Sequence, residues 1–295
     1  MILIVGATGL LGGEICRLLS EDGRRVRALV RGTAAEAKVT RLKSLGVDLA
    51  GGDLKSRRSL EGACAGIQVV ISTASSTLSR QEGDSIESVD HHGQLNLIEA
   101  AEAAGVKHFI FVSFPPSPME SPLQSAKREA EDRLRKSRMT HTILQPTVFM
   151  EVWLSPALGF DLAGSKARIF GTGRNALSWV SFQDVAKLAV AAIDNPRAVN
   201  VTVEIGGPEA LSPLDVVRMA EEISGKPLAV EHVPEDALRA QYEAAKDSLQ
   251  RSFAALMITA AAGGVLDPAR AFSLLPVDNL KTVRQFLSAT LASAV

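Results

Sequence analysis

The chain opens Met1-Ile2-Leu3-Ile4-Val5-Gly6-Ala7-Thr8-Gly9-Leu10-Leu11-Gly12. A β-branched apolar run breaks into three glycines at three-residue spacing. Apolar residues at helical spacing follow, with Leu11, Ile15, Leu18 and Leu19 on one face. This reads as strand, tight turn and helix. Such a turn aims a helix N-terminus and a set of bare backbone N–H groups at a diphosphate. Gly6 permits the turn, Gly9 lets backbone approach the pyrophosphate, and Gly12 lets the helix pack on the strand. Thr8, Leu10 and Leu11 complete the expected cradle.

Outward from this turn, strand and helix signals alternate. Strands are predicted over residues 25–30, 47–51, 68–72, 109–112, 140–144 and 199–205, and helices over 34–45, 85–104, 125–136 and 181–194. Gly23, Gly46 and Gly105 each fall just past a helix, where a stop is expected. Ser181 with Asp184, and Ser212-Pro213-Leu214-Asp215, have capping-box spacing. Strands joined through helices, without hairpin turns, imply a parallel sheet with right-handed crossovers. The expected fold is a Rossmann-type doubly wound α/β core over residues 1–146. A smaller, mainly helical lobe over 147–295 would cover a substrate, with 178–206 returning to the core.

The bulk properties fit a soluble globular protein: 46% hydrophobic and 22% charged residues. A formal net charge of −1 and only 4% aromatics argue against nucleic acid as a partner. Cys16 and Cys64 are too few for a metal site or disulfide framework and read as small buried hydrophobes. None of the five histidines has metal-ligand spacing. With neither a charged leader nor an apolar run long enough to span a bilayer, a cytoplasmic, membrane-free protein is expected.

The end of the second strand reads the cofactor. An acid there accepts from a ribose 2′-hydroxyl, whereas an arginine meets a 2′-phosphate. Here the strand ends Leu29-Val30-Arg31-Gly32, and Lys38 on the next helix adds a second positive charge. Arg31 therefore points to NADP(H); the competing reading leaves it a solvated loop residue. Asp53 and Leu54 are placed for the adenine edge, although Asp53 could instead cap the following helix. Thr73, Ala74 and Ser75 are small enough for close approach to ribose and nicotinamide.

Together with Ala126-Lys127-Arg128-Glu129-Ala130-Glu131, Thr142-Ile143-Leu144-Gln145-Pro146 and Ser178-Trp179-Val180-Ser181-Phe182-Gln183-Asp184-Val185-Ala186, these stretches resemble the atypical short-chain dehydrogenase/reductases. The likeness is to NmrA-like proteins and the isoflavone reductase and phenylcoumaran benzylic ether reductase group. It covers most of the chain. It implies a Rossmann domain with a substrate lobe, NADP(H) binding, and either reduction of a small organic molecule or cofactor sensing. Two departures stand out. The superfamily's Tyr four residues before the Lys is Leu123 here, and the only tyrosine is Tyr242. Gln145-Pro146 stands where Arg-Pro is usual, which puts a local charge interaction in question.

In the isoflavone-reductase-like group a lysine at the position of Lys127 serves as general acid/base without the tyrosine. Near a helix start and an oxidised nicotinamide, its pKa should fall. It could instead bind the nicotinamide ribose, or be a solvated lysine in a charged helix. Ser113, ending the fifth strand, is a candidate hydrogen-bond partner for substrate or cofactor, or a plain turn residue. The proline-rich loop 115–122 is expected as one pocket wall and Pro146–Trp153 with the C-terminal lobe as the other, with Phe114, Phe149, Trp153 and Phe170 as apolar contacts. The leading expectation is an NADPH-dependent reductase of a carbonyl, quinone or conjugated small molecule. The rival is a redox-sensing NADP(H)-binding regulator without turnover. Isomerisation of a nucleotide sugar is the weaker third reading, opposed by the absent tyrosine.

Overall fold

In the computed structural model, which describes residues 1–78 and 81–294, the first strand lies near the middle of the main sheet. All four residues of β1 (Ile2–Val5) are buried, as an unbroken apolar run requires of a strand covered on both faces. The chain continues through α1 (Leu10–Glu21), β2 (Val26–Val30), α2 (Glu36–Ser44), β3 (Asp48–Gly51), α3 (Arg57–Cys64) and β4 (Val69–Ser72). A π-helical turn, Ile86–His91, then opens α4 (His92–Ala103), followed by β5 (His108–Val112), α5 (Pro122–Arg135) and β6 (Thr140–Pro146).

The second half runs β7 (Val148–Phe149), α6 (Met150–Trp153), β8 (Phe160–Asp161), β9 (Lys166–Phe170), β10 (Leu177–Val180), α7 (Phe182–Ala191), β11 (Val201–Ile205), β12 (Glu209–Leu211), α8 (Pro213–Ser224) and β13 (Ala229–Val233). It ends with α9 (Glu235–Glu243), α10 (Ser248–Ala262), α11 (Ala269–Leu274) and α12 (Val283–Ala294).

The main sheet has seven strands in the order β11-β6-β5-β4-β1-β2-β3, and every pairing is parallel. The strand order reverses between β1 and β4, which opens a crevice at their carboxyl ends. One face of the sheet packs with α1 and α7 around Ile15, Leu19, Val185 and Leu188. The other packs with α3, α4 and α5 around Leu60, Leu97, Phe109 and Leu134. The expected doubly wound Rossmann core is therefore present. Cys16 and Cys64 are both buried within it, and burial pushes their thiols up to about 12 and about 11.

Three local expectations are corrected. Helix α5 begins at Pro122, not at 125, because Ser121 Oγ accepts from Gln124 N (3.2 Å) and proline takes the first helical position. The helix expected over 85–104 starts with a π turn, which carries the buried Asp90 inward. The Ser181–Asp184 capping box does not form: Asp184 instead accepts from Lys281 N (2.7 Å) and Lys187 Nζ (2.9 Å). At Ser212 the box is complete.

The C-terminal half also contains two three-stranded sheets, β12-β10-β7 and β13-β9-β8, beside its helices. Because β10 belongs to the first of these, the return to the main sheet begins at α7, not at residue 178.

Candidate active site

The glycine turn is shaped by what a side chain would strike. Gly6 has φ +90°, and a Cβ there would lie 2.6 Å from Thr73 Oγ1 and 2.8 Å from Ala74 N. A Cβ on Gly12 would run into the Gly6 carbonyl and lie 2.9 Å from Thr73 Oγ1. The turn, α1 and the end of β4 thus meet backbone to backbone. Gly9 is the N-cap of α1, and no side chain caps that helix. Its first amides are left for a ligand, which fits a diphosphate at this end.

Two cavities meet over this turn and share Gly6, Gly9, Leu10, Thr73, Ser75 and Leu78. The apolar Leu10 and Leu78 are 54% and 60% exposed at the junction, the arrangement expected where a bound ring system completes the surface. The larger cavity, about 470 Å³, brings Thr8, Ala74, Leu54, Asp53, Arg31 and Lys38 together. Asp53 does not cap α3. Its Oδ1 accepts from Lys55 N (2.8 Å), and Ser56 holds the N-cap position. Arg31 is half-buried rather than a free loop side chain, and its Nη1 lies 2.6 Å from Asp84 Oδ2.

The second cavity, about 320 Å³, is mostly apolar. Of the expected residues, Leu11, Ser113, Phe114, Lys127, Phe149 and Trp153 line it. Gly12 lies behind the turn and shapes it from within. Phe170 is not on this wall: its ring stacks edge-on against Trp153 at 6.1 Å, one layer back. Nor does the proline-rich loop 115–122 form a wall. Its place is taken by α10, which contributes Phe253, Leu256 and Met257. Sequence reasoning missed these three, since their helix is apolar on several sides and nothing local marks the side facing the crevice.

Lys127 is 5% exposed, which sets aside the solvated-lysine reading. It sits beyond the first turn of α5, so the helix terminus is not what perturbs it. Burial is the main cause holding its pKa below the ordinary lysine value, and Asp90 opposes that shift. The ammonium donates to Val112 O (3.3 Å), lies 4.9 Å from the centre of the Phe111 ring, and is 3.7 Å from Asp90 Oδ1. Ser113 N donates to Leu144 O (2.8 Å), and Arg128 Nη2 lies 3.4 Å from Ser113 Oγ.

The charge left open by Gln145 is supplied from α5. Buried Glu131 accepts from Gln145 Nε2 (2.9 Å) and pairs with Arg128 (2.8 Å) and Arg135 (3.1 Å). The only tyrosine, Tyr242, gives its hydroxyl to Glu120 O (2.9 Å) and is not on the cavity wall.

A model of the NmrA-like family matches residues 1–286. The chain belongs to the NmrA-like family. This NmrA-like protein is 33% identical over 230 residues to the NAD(P)H azoreductase of Xenophilus azovorans, covering 77% of this chain and 75% of that protein. It is 31% identical over 245 residues to the photosystem II assembly factor Ycf39 of Synechocystis sp., covering 81% and 72%. Among solved structures, AtPrR2 with NADP+ and (+)-pinoresinol superimposes with a TM-score of 0.78 at 25% identity, over 98% of this chain and 97% of that one. The cofactor expected from Arg31 is the one AtPrR2 carries. Among the described residues no helix is long and apolar enough to cross a membrane, and no cluster of His, Cys, Asp or Glu could hold a metal ion.

Proposed function

We propose that this NmrA-like protein is an NADPH-dependent reductase of a small, largely apolar organic substrate: a carbonyl, a quinone or a conjugated compound. Residues 1–146 carry the cofactor in this reading, and 147–295 supply most of the substrate cover. The observation that carries it is the position of Lys127, a buried ammonium on the wall of an apolar cavity that opens onto the glycine turn.

The glycine turn and α1 hold the diphosphate, and Arg31 with Lys38 faces the 2′-phosphate. When bound, NADPH supplies the hydride. Phe149, Trp153, Phe253 and Met257 exclude water from the reacting carbon. Lys127 donates a proton to the substrate heteroatom as negative charge develops there, and recovers it from solvent afterwards. Its lowered pKa makes that donation easier near neutral pH than from a free lysine. Ser113 Oγ, on the same wall, hydrogen-bonds the same heteroatom. This division of labour needs no phenol, which is consistent with Leu123 in the tyrosine's place.

A second reading, an NADP(H)-sensing regulator without turnover, draws on the relationship to Ycf39, a protein named for assembly rather than catalysis. NADPH oxidation assayed over a panel of quinones, carbonyls and azo compounds separates the two. A reductase turns over at least one of them, and Lys127→Ala lowers that rate by ~10²-fold or more while calorimetric NADPH binding persists. Slow oxidation of NADPH with every compound, identical in wild type and Lys127→Ala, leaves the regulator.

A further inference from the structure

The adenosine half of the crevice carries a charge that the cofactor reading has not used. Asp84, from the connection between β4 and α4, reaches across to the end of β2 and places its carboxylate against Arg31 (2.6 Å) and Lys55 (2.8 Å). Its side chain is only 2% exposed. The same connection is tied to the β2–α2 loop a second time, through Thr33 Oγ1 to Gln81 Oε1 (2.5 Å) and Gln81 Nε2 to Thr33 O (3.3 Å). Asp84 is thus held in the cavity wall by contacts on two sides, and Arg31 meets a carboxylate before any nucleotide arrives.

We infer that Asp84 is a specificity-determining residue that opens this site to NADH as well as NADPH. The inference rests on the dinucleotide reading above. An acid at the end of β2 marks an NAD site because its carboxylate accepts from the ribose 2′-hydroxyl. This chain has Arg31 at that point, yet the fold returns a carboxylate to the same place from a distant loop. The charged side chains lining the cavity are then balanced, Arg31 and Lys38 against Asp53 and Asp84. A 2′-phosphate gains Arg31 only by drawing it from Asp84, and it suffers the repulsion of a barely hydrated anion. A nucleotide without that phosphate leaves the Arg31–Asp84 pair whole and offers its 2′-hydroxyl to the carboxylate. The two effects pull in opposite directions, so the site discriminates weakly between the cofactors.

The test is calorimetric or fluorescence titration of wild type and Asp84→Asn with NADPH and NADH. Asparagine keeps the size and one acceptor, and a thermal melt of each protein without nucleotide checks the fold. The expected result is wild-type binding of both nucleotides with dissociation constants within about tenfold of each other. In Asp84→Asn, NADPH should bind about tenfold tighter and NADH several-fold weaker. Raising salt should weaken NADPH binding to the variant more than to wild type, since Arg31 is then free for the phosphate. Equal changes for both nucleotides, or none, overturn the assignment of Asp84. Wild type that binds neither nucleotide overturns the cofactor reading itself, and this inference with it. If Asp84→Asn melts early, Lys55→Met gives the second readout. Freed from Lys55, Asp84 should grip Arg31 more closely and shift preference toward NADH; an unchanged ratio counts against the inference.

Discussion

Asp90 divides its carboxylate between a loop and a lysine. Oδ2 accepts from Ser76 N (2.9 Å) and Ser76 Oγ (2.6 Å), while Oδ1 faces Lys127 Nζ at 3.7 Å with no hydrogen-bond partner of its own. The residue is fully buried on the π turn that opens α4. It ties the loop after β4, which borders both cavities, to the proposed proton donor, and supplies the negative charge that lets a buried ammonium persist.

A pH dependence follows from that pair. In the proposed reaction Lys127 donates only while protonated, so turnover should fall as pH rises through its pKa. Asp90 favours the charged form, and Asp90→Asn removes that support. The alkaline limb of the kcat profile should then move to lower pH by about one unit or more. A profile lowered in height but unmoved in pH would assign Asp90 to folding alone.

Arg31→Gln tests the other end of the crevice. Loss of a charge-assisted bond to phosphate costs about 1.5–3 kcal/mol, a ~10- to 100-fold weaker NADPH complex. NADH affinity should change several-fold at most. Parallel titrations decide it, and equal losses for both nucleotides would remove Arg31 from the phosphate site.

Gly12→Ala should lower both stability and cofactor affinity, because its Cβ strikes the Gly6 carbonyl and Thr73. Overpacking of this kind costs about 1–3 kcal/mol, which lowers Tm by several degrees in a chain of this size. Gly62→Ala, inside α3 with nothing within 4 Å of the new Cβ, serves as the contrast and should raise Tm slightly.

Acid sensitivity is expected from the sheet. Burial lowers His108 from 6.5 to about 4, its ring bridging Thr140 Oγ1 (2.8 Å) and Thr142 Oγ1 (3.0 Å). The folded protein holds this imidazole neutral, while the unfolded chain protonates it near 6.5. The stabilisation, about 3 kcal/mol, is complete above pH 6.5 and is lost as pH falls toward 4. In His108→Gln the Tm should be lower at neutral pH but fall less steeply over that window.

The core and the phosphate turn were legible in the chain because both are written locally. Ile2–Val5 running into Gly6, Gly9 and Gly12 specifies a buried strand, a turn and a helix within a dozen residues, and alternating strands and helices leave few other sheets to build. Ser121-Pro122 is a helix start written just as locally, whereas Asp184 has the spacing of a cap but is taken by Lys281, far along the chain.

What the sequence determined, then, was the parallel sheet, the dinucleotide turn and a lysine in the helix beyond the fifth strand. Only the tertiary structure decided what surrounds them. Asp90, Asp84 and the α10 side chains Phe253, Leu256 and Met257 reach the crevice from segments far away in the chain. Strand and turn propensities act over a few residues, whereas burial, ion pairing and the shape of a cavity arise only when distant segments exclude water between them.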